Sequence, residues 1–195
     1  MAGEARRRFD AHFTDPSVLP SEYKTTVYKI VLMNGGEAEY ARVKATYYAT
    51  EDNVERKYAM NSLGATRLPH LQRATLDWAL KSGDVKMQDC FYPVGAVASS
   101  SKAGSALAWQ YYQEHFAAWQ ALLAKASPSL MDATIVYSTQ RSCTAAKADE
   151  IEAFFAAHPL PSSARRISQS VEMIRSSGAM LDRIRQSRLV QAGYW

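Results

Sequence analysis

Long apolar runs are missing from this sequence. None approaches the roughly 18 to 20 residues that a membrane-spanning helix needs, and the charged stretch from Met1 to Phe13 has no secretory core. No membrane partner is expected. Cysteine is nearly absent as well. Cys90 and Cys143 are too few for a disulfide framework or a four-ligand zinc site, and both read as buried thiols in a reducing, cytoplasmic setting. The four histidines, His12, His70, His115 and His158, form no His-Glu-x-x-His motif and no pair at helical ligand spacing. Glu114-His115 comes nearest, but position 119 is Trp119. Gly35-Gly36 is followed by Glu37 rather than a lysine-serine step, so it reads as a helix stop and not as a phosphate cradle. Neither cysteine has a histidine near it in sequence, which leaves nucleophilic catalysis unsupported. Glu150 and Glu152 fall on opposite helix faces and read as solvated. On its residues the chain carries no catalytic centre, no cofactor site and no metal site.

Strand-like alternation is also lacking, and what fills the sequence instead is helical periodicity. The stretch from Lys86 to Ala124 organises the rest. Trp109, Tyr112, Phe116, Trp119 and Leu123 recur at steps of three and four, predicting one helix of about six turns with a broad aromatic face. Before it, Cys90, Val94 and Val97 mark a second helix, ended by Ser99-Ser100-Ser101-Lys102; Pro93 means that this helix is kinked or starts late. A hairpin this aromatic needs neighbours on its flank.

Those neighbours are legible. Glu4 to Phe13 predicts a short helix stopped at Thr14-Asp15-Pro16, with no upstream partner to cover Phe9 and Phe13. Ser21 is placed to cap the next helix (Val27, Ile30, Val31, Asn34), with a left-handed stop at Gly35-Gly36. Tyr40, Val43 and Tyr47 mark the following one and complete the first hairpin. Asp52 or Asn53 caps a helix with Val54 and Tyr58 inward, ending at Gly64. Pro69 opens the helix of Leu71, Thr75 and Trp78, where its missing donor costs nothing. After the central hairpin, Ser127-Pro128 opens a helix with Met131 and Ile135 inward, and Thr144 caps one with Ala148, Ile151, Phe154 and Phe155 inward. His158-Pro159-Leu160-Pro161 breaks the chain before a last helix carrying Ile167, Val171, Ile174, Gly178 and Leu181. This gives about ten helices paired at about 35 residues. The fold class is all-α: a right-handed α-α superhelix, a HEAT- or armadillo-like solenoid of antiparallel helix hairpins. Residues 1–195 form one such domain, expected to be a fragment lacking upstream hairpins and a catalytic domain.

The formal net charge of +4 gathers at the end. From Pro161 to Trp195 six arginines (Arg165, Arg166, Arg175, Arg183, Arg185, Arg188) face only Glu172 and Asp182. A second basic cluster, Arg6-Arg7-Arg8, sits in the first helix. Each reads as a solvated face or as an anion-recognising surface.

Glu4-Ala-Arg-Arg-Arg-Phe9, the segment Val27-Tyr-Lys-Ile-Val-Leu-Met-Asn-Gly-Gly-Glu37, Ser62-Leu-Gly-Ala65, Gln88-Asp89 and the Leu107-Ala-Trp109 step follow one another in a telling order. With the last helix from Arg165 through Gln169-Ser170 to Ile174-Arg175, they resemble the C-terminal helical domain of zinc aminopeptidases of the puromycin-sensitive and endoplasmic-reticulum type. The resemblance spans nearly the whole chain and covers the distal half of that domain. It implies a parent enzyme with a β domain, a thermolysin-like catalytic domain holding zinc, a small β-sandwich, and an α-solenoid that cups the active site. The Gly-Ala-Met-Glu-Asn and His-Glu-x-x-His motifs of such enzymes are absent here, and Gly178-Ala-Met180 matches the first over three residues only. The implied function is non-catalytic: enclosing the chamber and helping to bind peptide, with the catalytic domain of the same polypeptide and a peptide substrate as partners.

An alternative is a protein-interaction solenoid unrelated to proteolysis. Nucleic acid is not expected as a partner, and self-association through the open first helix is. Because such an enzyme holds the peptide's N-terminus at zinc, the far carboxylate lies towards the helical domain. Arg165, Arg166 and Arg175 near the start of the last helix, with Gln88 as a polar neighbour, are the candidate contacts for it or for an acidic surface of the catalytic domain.

Overall fold

The computed structural model describes residues 1–187. They form eleven α-helices and no strand. In chain order these are α1 (Ala2–His12), α2 (Ser21–Asn34), α3 (Glu37–Tyr48), α4 (Asn53–Met60), α5 (Pro69–Lys81) and α6 (Phe91–Ser100). There follow α7 (Lys102–Glu114), α8 (Phe116–Leu123), α9 (Pro128–Thr139), α10 (Ala145–Ala157) and α11 (Ala164–Arg185). Short 3-10 turns lie at Pro16–Val18, Leu63–Ala65, Met87–Asp89 and Pro161–Ser163. Arg188, counted above in the basic cluster, lies outside the described residues.

Local chemistry sets several starts. The Asp52 carboxylate accepts the Val54 N–H at 2.8 Å, the Ser101 hydroxyl that of Gly104 at 2.9 Å, and the Thr144 hydroxyl that of Lys147 at 3.2 Å, satisfying donors that a first turn cannot. Pro69 and Pro128 occupy first helical positions. Pro93 is tolerated because α6 begins only at Phe91, which leaves it in the first turn.

Six expectations are corrected. The fourth helix ends at Met60 rather than at Gly64, which lies within the 63–65 turn. Ser21 is the first helical residue, not the cap, and Pro20 precedes it without a side-chain bond. Gly35 and Gly36 are extended rather than left-handed (φ −109° and −124°); Glu39 reaches back to accept the Gly36 N–H at 2.7 Å, and its side chain fills the space a Cβ on Gly35 would need. Val54 faces outward at 57% exposure. The six-turn aromatic helix is two helices, broken at His115 (φ −116°, ψ 24°), although all five of its stripe residues are buried. The first helix is not left open either. Phe9 is fully buried, edge-on to Tyr28 at 5.6 Å and beneath the Arg42 guanidinium at 4.6 Å, so α1 and α2 make the first hairpin.

One continuous apolar core runs from Ala5 to Ile174. At its middle α6 packs on α4, α5, α7, α9 and the 63–65 turn. Its small residues (Gly95, Ala96, Val97, Ala98) let backbones meet: a Cβ on Gly64 would collide with the main chain of Ala96 and Val97. Successive hairpins are also tied by side-chain hydrogen bonds at a nearly constant separation. Tyr40 to Thr75 (2.9 Å) spans 35 residues, Tyr111 to Asp77 (2.8 Å) spans 34, and Ser105 to the Gln140 carbonyl (2.9 Å) spans 35.

Candidate functional site

The last hairpin, α10 and α11, holds the basic residues singled out above. α11 lies on α10 and α9 because Ile167, Val171 and Ile174 recur on one stripe. Gly178 allows it to continue past the α9–α10 junction, since a Cβ there would press on the Cys143 carbonyl. Between the two helices a groove of ≈ 370 Å³ opens at the first turns of α11, lined by Phe155, Leu160, Ile167 and Val171 with Glu152 at its edge.

Arg165 and Arg166 stand at this end of α11, exposed and without an ion pair among the described residues. Arg175 is committed elsewhere. Its two terminal nitrogens grip both oxygens of Glu152 at 3.0 and 2.6 Å, and one also reaches Asp149 at 2.6 Å. Those carboxylates, Glu152 first, hold its proton still more firmly than usual. Gln88 is exposed in the 87–89 turn between α5 and α6, while α11 packs on α9, α10 and the 161–163 turn. The fold therefore groups Arg165 with Arg166, ties Arg175 to α10, and leaves Gln88 on a separate turn. The Arg6–Arg8 cluster is neutralised where it stands: Arg6 pairs with Asp10 (3.1 Å) and Glu39 (2.8 Å), and Arg7 and Arg8 pair with Glu4.

Two polar arrangements escaped the sequence reading because they join residues a hairpin apart. Glu150, expected to be merely solvated, accepts the Trp109 indole N–H at 2.7 Å and an ammonium hydrogen of Lys147 at 2.5 Å. Burial alone would raise its pKa, yet these donors bring it below the ordinary glutamate value. Buried Tyr111 donates to Asp77, which also pairs with Lys81 at 2.6 Å, while Arg73 pairs with Glu114 at 2.6 Å alongside. Both clusters are satisfied internally and brace the stack.

Among the described residues no three His, Cys, Asp or Glu side chains are placed to hold a metal ion. His70 meets Glu37, His115 meets Lys81, and His158 bonds its own helix carbonyl at Phe154; the set does not fit zinc. Cys90 is fully buried, which pushes its thiol up to about 11 and leaves it a poor nucleophile.

Known proteins similar to this chain are aminopeptidases by name. Aminopeptidase M1 of Arabidopsis thaliana is 28% identical over 189 residues, covering 94% of this chain and 21% of that protein. Aminopeptidase 2, mitochondrial, of Saccharomyces cerevisiae is 27% identical over 182 residues, 91% of this chain and 19% of the relative. Aminopeptidase M1-B of Oryza sativa subsp. japonica is 28% identical over 188 residues, 93% and 21%. The chain thus spans about a fifth of the length of the curated relatives it matches. The ERAP1-like C-terminal domain matches residues 2–176, from the first helix past Arg175. On that match, the chain belongs to the family of ERAP1-like C-terminal domains.

Proposed function

We propose that this chain is the non-catalytic C-terminal part of a zinc metallo-aminopeptidase that removes N-terminal residues from peptides. The observation that carries the reading is the family match over residues 2–176 together with relatives that are aminopeptidases by name. Zinc belongs to the catalytic domain in this reading, and that domain is the chain's first partner. The helices form a HEAT-like stack whose curved face closes the active-site chamber, and the near-constant hydrogen-bond separation between hairpins supports that architecture. The second partner is the peptide. Arg165, exposed beside an apolar groove, takes its distal carboxylate, Arg175 holds the hairpin beneath it, and Gln88 is a separate contact along an extended substrate; Arg166, one heptad before Met173, faces the other flank of α11.

A cytoplasmic setting rests on the two free thiols, and no helix among the described residues is long and apolar enough to cross a membrane. The yeast relative is named mitochondrial, so cell fractionation is the deciding observation. For the peptide site, Arg165→Ala in the intact enzyme raises KM for long peptides and spares a one-residue chromogenic substrate. Equal effects on both substrates, or none on either, refute the assignment.

A further inference from the structure

A second groove lies on the opposite flank of α11, and nothing described so far uses it. It measures ≈ 280 Å³ and opens where α9 turns into α10, lined by Val136, Thr139, Cys143, Met173, Ile174 and Ser177. The face of α11 that leaves it is apolar and uncovered: Met173, Met180 and Ile184 are 70%, 57% and 43% exposed. They fall seven and then four residues apart, so they form one stripe of about three turns, roughly 16 Å long. Methionine is the side chain best able to mould itself to a partner, and an uncovered apolar stripe of this kind marks an interaction surface.

Two exposed arginines border this stripe. Arg166 continues it one heptad upstream of Met173, exposed and unpaired among the described residues. Arg141 stands on the groove's rim in a left-handed backbone conformation (φ 65°), also unpaired there. No carboxylate pairs with either arginine among the described residues. On α11, Asp182 projects from the far side of the helix and Glu172 lies about 100° around it from Met173, while on α10 Glu150 and Glu152 are taken by Lys147, Trp109 and Arg175.

We propose that this face docks an acidic amphipathic helix of a partner protein, its apolar side on Met173, Met180 and Ile184 and its carboxylates towards Arg141 and Arg166. Charge decides against a second copy of the chain, because a symmetric pairing would bring the same arginines together. A helix is the fitting occupant because the stripe itself has helical length and spacing.

The test titrates the full chain against a fluorescein-labelled 16-residue helical peptide with leucine at helical spacing and glutamate elsewhere, read by anisotropy. The expected result is saturable binding that weakens with salt, falls about tenfold or more with Met173→Asp or Met180→Asp, and falls several-fold with Arg166→Glu or Arg141→Asn, each variant keeping the parent's circular dichroism. Asparagine is chosen at 141 because it tolerates the left-handed conformation. Absence of saturable binding overturns the proposal, as does indifference to all four substitutions. Equal affinity for the same peptide with lysine in place of glutamate overturns it too, and so does self-association of the chain that Met180→Asp abolishes.

Discussion

His12 shows how one side chain can couple this fold to pH. It sits half-buried between Phe13 and Tyr28, and its Nδ1 has no hydrogen-bond partner. Burial, and then the charge of Lys24, lower its pKa from the usual 6.5. The unfolded chain therefore binds the proton more readily than the folded one, so stability is full above about pH 6.5 and falls as pH drops through the depressed folded value. Melting temperature is expected to decline between pH 7.5 and 5.5, and His12→Gln is expected to flatten that decline. An unchanged slope in the variant would place the proton elsewhere. Asp77 adds a second loss at lower pH: burial opposes its charge, but Lys81 and Tyr111 outweigh burial and hold it below the usual 3.8. None of this was legible in the sequence, where His12 was only a histidine outside any ligand motif. Its burial and its nearness to Lys24 exist only once α1 lies on α2.

Elements were read more accurately where their determinants are local. Asp52, Pro69, Pro128 and Thr144 act on the turn in which they stand, and each opens the helix expected of it. The break at His115 escaped because it leaves the phase of the stripe unchanged: the His115 N–H still reaches the Tyr111 carbonyl at 3.1 Å, and the Trp119 N–H reaches that of His115 at 3.0 Å. A period cannot report a bend that costs it no residue. The pairing of α1 with α2 escaped for another reason, since an apolar stripe records that it needs cover but not which helix supplies it. Gly64 joins both cases. It was expected to end the fourth helix, but that helix ends at Met60, and Gly64 sits inside the 63–65 turn, where glycine is required by the backbone of α6, a full hairpin later. Gly64→Ala is expected to cost about 1–3 kcal/mol through overpacking against main chain that cannot yield, measured as a lower urea midpoint at unchanged slope. At the basic end the kind of residue was legible but not its engagement. Arg175 looked as available as Arg165 until Asp149 and Glu152 were placed beside it.

For the whole molecule, the surface left by α1 is smaller than its sequence suggested. With Phe9 covered, Phe13 at 45% exposure and Val18 at 37% remain as apolar surface at this end, beside Met1 and Tyr23. If the chain self-associates there, sedimentation at high concentration shows a dimer that Phe13→Glu converts to monomer; a monomer throughout in the parent rejects that interface. The regular ties between hairpins carry a mechanical consequence. Each of the bonds from Tyr40 to Thr75, from Tyr111 to Asp77 and from Ser105 to Gln140 reaches no farther than the next hairpin, so a load applied at the ends is borne in series. Stretched in an optical trap, the chain is expected to yield hairpin by hairpin in a sawtooth, each event releasing about 12 nm of contour for some 35 residues, rather than rupturing in a single event.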